Sequence, residues 1–139
     1  MWAALGFFVG LIVIRVVTTV LHYQGAGPNG GIIIQGVHVH HFVFGIVLLL
    51  LIGYLWLLLF AMDPEARNPF RVAAVGYGVA GALILDEFAL WLNLRDVYWE
   101  RQGRESLEVL AIFGGFLLFA LLIAPYLEAV ARHLFQRQR

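Results

Sequence analysis

Four apolar runs, broken only by isolated polar positions, divide the chain at residues 2–21, 42–62, 72–92 and 109–130. A helix rises about 1.5 Å per residue, so roughly 20 apolar residues cross a hydrocarbon core of about 30 Å. Every run reaches that length. The pattern predicts an all-α, four-helix transmembrane bundle forming a single membrane domain over residues 1–139. Turn formers and charges fill the intervals 24–31, 63–69 and 93–108. The first run lacks a basic leader and a small-residue cleavage site and carries Arg15 inside it, so it reads as a span and not as a secretory signal. Residues 31–37 are apolar but too short to cross, which predicts a re-entrant or interfacial stretch.

Four crossings put both termini on one side. Arg67, Arg71, Arg132, Arg137 and Arg139 fall on that side, against Arg95, Arg101 and Arg104 on the other. The excess predicts cytoplasmic termini and outward-facing loops at 23–37 and 93–108.

Composition narrows the classes further. Apolar residues make up 62% of the chain and charged ones 13%, against roughly 45–50% and about 25% in soluble domains. A single small domain has too little interior to hide that much hydrocarbon, so lipid is the expected solvent and partner. Nine acids balance nine bases, all of them Arg. Without a broad basic surface, nucleic-acid binding is excluded. The absence of Cys removes disulfides, thiolate metal sites and thiol nucleophiles.

Small residues at four-residue spacing, Gly6 and Gly10 in the first span and Ala74, Gly78 and Ala82 in the third, predict close helix approach. Gly76-x-Gly78-x-x-Gly81 matches a dinucleotide fingerprint in spacing alone. No strand precedes it, so helix packing is the reading.

Candidate chemistry resides in polar residues that lipid disfavours. His22, His38, His40 and His41 lie at the expected outward end, and Asp86 and Glu87 interrupt the third span near the same end. An ionisable residue inside a span costs about 2.5–3.5 kcal/mol at the centre and normally faces the bundle interior, paired or functional. Arg15 sits at matching depth and is the expected charge partner of Asp86. A single cation leaves a second carboxylate to be protonated, hydrated or bound to something cationic. His38 and His41 share a face if helical, and His38 with His40 if extended. Imidazole with carboxylate suits Zn, Fe or Mn. The expected ligands are therefore His38, His40, His41 and Glu87 with Asp86 assisting, around one metal or two. His22, Asp96 and Glu100 are candidate accessory groups. Haem is the weaker cofactor reading, because neither His22 nor His41 lies mid-span.

The bland readings stand beside this one. A histidine cluster at a helix start also serves as an interfacial cap, the two acids as a structural ion pair, and Tyr98 with Trp99 as an interfacial belt. Ser106, ahead of the fourth run, reads as a helix N-cap. Three functions remain open: a metal centre acting on a lipid or quinone-like amphiphile; a non-catalytic subunit or assembly factor, in a homo-oligomer or larger membrane complex; and a proton- or ion-conducting protein. Whether the chain is an enzyme does not follow from these residues.

The segments His38-Val39-His40-His41-Phe42-Val43-Phe44-Gly45 and Leu85-Asp86-Glu87-Phe88-Ala89-Leu90-Trp91-Leu92, with Asp96-Val97-Tyr98-Trp99 and Gly103-Arg104-Glu105-Ser106, resemble those of an uncharacterised group of small bacterial integral membrane proteins. The resemblance covers nearly the whole chain and its motifs about a quarter of it. It implies a multi-pass protein of the bacterial inner (plasma) membrane and brings no substrate or mechanism.

Overall fold

A computed structural model describes residues 1–24, 32–34, 37–62 and 67–136. The chain is an all-α, four-helix bundle. Helix α1 (Trp2–Tyr23) is followed by the short strands β1 (Ile32–Ile34) and β2 (Val37–Val39), then α2 (His41–Met62), α3 (Arg67–Asp86), the short α4 (Phe88–Asn93) and α5 (Arg104–Gln136). Four helices, α1, α2, α3 and the first part of α5, are long and apolar enough to cross a membrane. At 1.5 Å per residue the 33 residues of α5 extend about 50 Å, well beyond a hydrocarbon core of about 30 Å. The protein is a multi-pass membrane protein by the length and composition of these helices.

The interior is built from small residues. Ala73, Ala80, Ala82 and Ala89 are buried with Phe7, Val97 and Leu110, whereas α2 buries only Gly45 and turns Leu, Val, Phe and Trp side chains outward. Among the described residues, the buried polar side chains are Thr18, Asp86, Glu87 and Ser106. Apolar outside and polar within is the arrangement expected of a bundle solvated by lipid.

Helix α3 occupies the centre, packed along α1 on one side and α2 on the other, with lighter contact to α5. A Cβ added to Gly6 would strike the Val75 carbonyl, one on Gly78 would strike the Ala3 carbonyl, and one on Gly10 would lie 3.1 Å from Val79 Cα. The pairs Gly6–Val75, Gly10–Val79 and Arg15–Asp86 ascend together, so α1 and α3 are parallel neighbours whose backbones touch, as the small-residue spacing predicts. The α2 contacts descend instead. Gly45 meets Ala80, Leu83 and Ile84, while Gly76 meets Ile52. Gly76 and Gly78 of the Gly76-x-Gly78-x-x-Gly81 pattern thus serve helix packing, while a Cβ at Gly81 would meet only Phe7 Cδ2 at 3.9 Å.

Two expectations about helix bounds need correction. The third span does not run unbroken to Leu92. It ends at Asp86, Glu87 adopts φ −107° and ψ 24°, and α4 restarts at Phe88. The last helix starts at Arg104 and not Val109, so Ser106 lies within its first turn; its Oγ accepts the Ala89 amide at 2.9 Å and caps α4 instead of its own helix. The stretch read as re-entrant or interfacial contributes Ile32–Ile34 and Val37 to an antiparallel ladder with Ile33 opposite His38. His38 is therefore on a strand, and the helical alternative that would pair it with His41 does not apply.

Candidate polar site at one end of the bundle

The C-termini of α1 and α3 and the N-termini of α2 and α5 gather at one end of the bundle. Adjacent residues on one continuous helix point about 100° apart; the break after Asp86 instead lets both acids face inward, Asp86 toward Arg15 and Tyr98, Glu87 toward His40 and the start of α2, with His41 between them.

Asp86, with 0% exposure, is the meeting point of three elements. Arg15 Nε of α1 lies against Oδ1, His41 Nε2 of α2 lies 3.0 Å from Oδ2, and the Tyr98 hydroxyl donates to Oδ2 at 2.7 Å. The guanidinium also rests over the Tyr98 ring, 5.0 Å from its centroid. Nε and Oδ1 make an ion pair off hydrogen-bonding angle, and Arg15 Nη2 has no hydrogen-bond partner among the described residues. Thr18 Oγ1 lies 2.9 Å from the Ile14 carbonyl, 3.3 Å from the Arg15 carbonyl and 3.1 Å from the Tyr98 oxygen, among which its single proton is shared.

Glu87, 5% exposed, faces α2. Its Oε2 accepts the Phe42 amide at 2.8 Å, satisfying one of the donors left open at the start of that helix, where the dipole favours an anion. His40 Nδ1 lies 2.7 Å from Oε1 and His41 Nδ1 lies 3.3 Å from Oε2. The His41 ring thus bridges the two carboxylates, one at each nitrogen.

Charge counting shows what the arrangement demands. Two carboxylates against one guanidinium leave a net charge of −1 when both imidazoles are neutral. His41 donates from both nitrogens only as imidazolium, so one added proton balances the cluster, whereas a divalent metal balances it only together with one further negative charge such as a hydroxide. Leaving that charge uncompensated in an apolar interior costs several kcal/mol.

The remaining candidates lie elsewhere. His22 is exposed and stacks on Trp99, centroids 4.0 Å apart and planes at 21°, so it ties the end of α1 to the 94–103 loop. Glu100 pairs with Arg95 at 3.2 Å on the surface, and Asp96 accepts the Tyr98 amide at 3.2 Å, shaping the loop that carries Tyr98 inward. The His38 side chain lies outside the described residues. Among those described, no group of three or more His, Asp or Glu side chains is already spread as a metal shell. The donors close on one another instead.

Thr18 and Tyr98 were not foreseen as site residues. Tyr98 has the sequence signature of an interfacial aromatic, and only the loop's path brings its hydroxyl under Asp86. Burial, reinforced by the Asp86 carboxylate, pushes the Tyr98 phenol well above its ordinary value. The folded state therefore holds this proton more tightly than the unfolded chain. Stability from the group is complete below about pH 10, the ordinary tyrosine value, and falls as pH rises beyond it. Melting temperatures from pH 8 to 11 are expected to drop more steeply for the wild type than for Tyr98→Phe; parallel curves would show that the phenol proton is not linked to folding.

The chain matches no family model, no curated protein and no solved structure.

Proposed function

We propose that this is a multi-pass protein of a bacterial plasma membrane that holds a transition metal at the outer end of its bundle, with His40, His41 and Glu87 as ligands. The observation that carries this reading is the grip on His41. Asp86, itself anchored by Arg15 and Tyr98, takes Nε2, which turns Nδ1 toward Glu87, where His40 Nδ1 also arrives. An imidazole fixed at one nitrogen by a buried carboxylate and presenting the other is the usual support for a metal-ligating histidine. Asp86 accordingly becomes an orienting group in place of the ligand it was expected to be. The 3.3 Å between His41 Nδ1 and Glu87 Oε2 also matches the roughly 3.3–3.4 Å separating two tetrahedral ligands each about 2.0–2.1 Å from one ion. The net charge of the cluster supports a cation for the same reason.

A bound Zn, Fe or Mn would supply an activated water or oxygen at headgroup depth, which fits a lipid or quinone-like amphiphile as substrate. Protein purified in mild detergent is expected to carry close to stoichiometric metal by elemental analysis. His41→Ala and Glu87→Gln should lose it, and Asp86→Asn should weaken affinity about 10–100-fold, the usual effect of removing such a support. Equal, sub-stoichiometric metal in all four proteins would overturn the proposal.

A second reading rests on the internal pairing of both carboxylates, which equally suits a purely structural lock in a subunit or assembly factor of a larger membrane complex. Under that reading His41→Ala leaves metal content unchanged while lowering the melting temperature or the recovery of a partner.

A further inference from the structure

We propose that the outward face of α5 docks a second copy of this chain, α5 against α5 about a two-fold axis, with Arg104 of each copy paired to Glu108 of the other. Helix α5 buries Ser106, Leu110 and Gly114 against the bundle. Its opposite side is open. Arg104, Glu108, Ala111, Gly115, Leu118 and Leu122 are all exposed, and at about 100° per residue they fall in one sector about 80° wide. Their separations alternate between four and three residues, the spacing that keeps one seam turned toward a partner helix.

Lipid alone would suit an unbroken apolar stripe, and this one is broken at its outer end by charge. Arg104 and Glu108 lie within the apolar span Arg101–Leu127, yet neither makes an ion pair with any described residue. Ionisable groups in a span normally turn inward or pair with one another. The next seam positions, Ala111 and Gly115, are small, and a Cβ on Gly115 meets nothing within 4 Å. A neighbouring backbone can therefore come close there, as α1 does to α3.

The charges select the partner. Copies of one chain insert in the same direction, so a two-fold axis along the membrane normal sets α5 parallel to α5. In a parallel seam each residue lies beside its own counterpart and beside the next seam residue of the other helix. Arg104 of one copy therefore meets Glu108 of the other, and the axis repeats the pair in reverse. The face is complementary to its own rotated image, which a different protein would match only by carrying the same pattern. The inference is independent of the metal reading.

Cysteine crosslinking in native membranes tests it, because the chain has no Cys of its own. Ala111→Cys and Gly115→Cys are expected to give covalent dimers on mild oxidation. Phe116→Cys, exposed but about 100° around the helix from Gly115, should stay monomeric. Within the Ala111→Cys chain, Arg104→Glu and Glu108→Arg should each lose most of the dimer, since each sets like charges facing across the seam. Co-expressed under different tags, these two variants should crosslink to each other as fully as the parent does, a rescue that pairing within one chain does not produce. Adding Gly115→Leu should also remove the dimer while the melting temperature stays near that of the parent, which separates lost docking from lost folding. Ala111→Cys chains left monomeric or joined only to another protein, crosslinking as strong at position 116 as at 111, or no rescue in the mixed membranes would overturn the proposal.

Discussion

Asp86→Ala is expected to abolish most of the folded protein, with the largest loss of any single polar substitution. The carboxylate is fully buried and joins Arg15 of α1, His41 of α2 and Tyr98 of the last loop. Removing it leaves the Arg15 guanidinium without its carboxylate in an apolar bundle and leaves the Tyr98 hydroxyl with Thr18 Oγ1, 3.1 Å away, in place of a charged acceptor. Breaking a buried ion pair from one side costs about 3–5 kcal/mol, a large part of a total stability of about 5–15 kcal/mol. Arg15 keeps 29% of its side-chain surface exposed, which places the loss toward the lower end of that range. Replacing both partners, Arg15→Leu with Asp86→Leu, should recover much of the stability, because no guanidinium is then left without its carboxylate and the net charge of the cluster is unchanged. Size-exclusion profiles and melting temperatures in detergent measure both effects. An Asp86→Ala protein as stable as the wild type would separate these contacts from the stability of the fold.

Gly78→Leu should be comparably damaging for a steric reason. A Cβ at this position would overlap the Ala3 carbonyl and come within 2.6 Å of the Phe7 amide nitrogen. Both are backbone atoms, so no rotamer change relieves the clash. The two helices would have to separate along a contact that also carries Gly6 on Val75 and Gly10 on Val79. Overpacking a core commonly costs about 1–3 kcal/mol when side chains can yield, and more is expected where the obstacle is another helix backbone. Gly53→Leu and Gly115→Leu are the controls, since nothing lies within 4 Å of a Cβ at either glycine. They should melt near the wild type, while Gly78→Leu should be recovered mainly as aggregate. Equal melting temperatures for all three variants would show that α1 and α3 do not depend on this contact.

The two predictions rest on features of different legibility. The spans were readable because a lipid-solvated helix must be apolar over about 20 residues, whatever it packs against. Gly6, Gly10 and Gly78 were readable as contact residues because close helix approach requires small side chains at four-residue spacing. Arg15, His40, His41, Asp86 and Glu87 stood out because ionisable groups near hydrocarbon need partners. These are properties of the local chain and its solvent, and the sequence by itself determined them.

The tertiary structure decided how those groups divide. No Pro or Gly marks the break at Glu87. It coincides with contacts from distant segments: the Phe42 amide on the Glu87 carboxylate, and the Ser106 hydroxyl on the Ala89 amide. The same kind of remote contact drew Tyr98 under Asp86 and stacked His22 on Trp99. Separating Asp86, which meets Arg15 and Tyr98, from Glu87, which meets His40 and the start of α2, also required helices far apart in sequence to come together. Hydrophobic pattern constrains where a chain crosses the bilayer, but a hydrogen bond is satisfied by whichever partner the packed helices bring within about 3 Å, and that choice is made only when they meet.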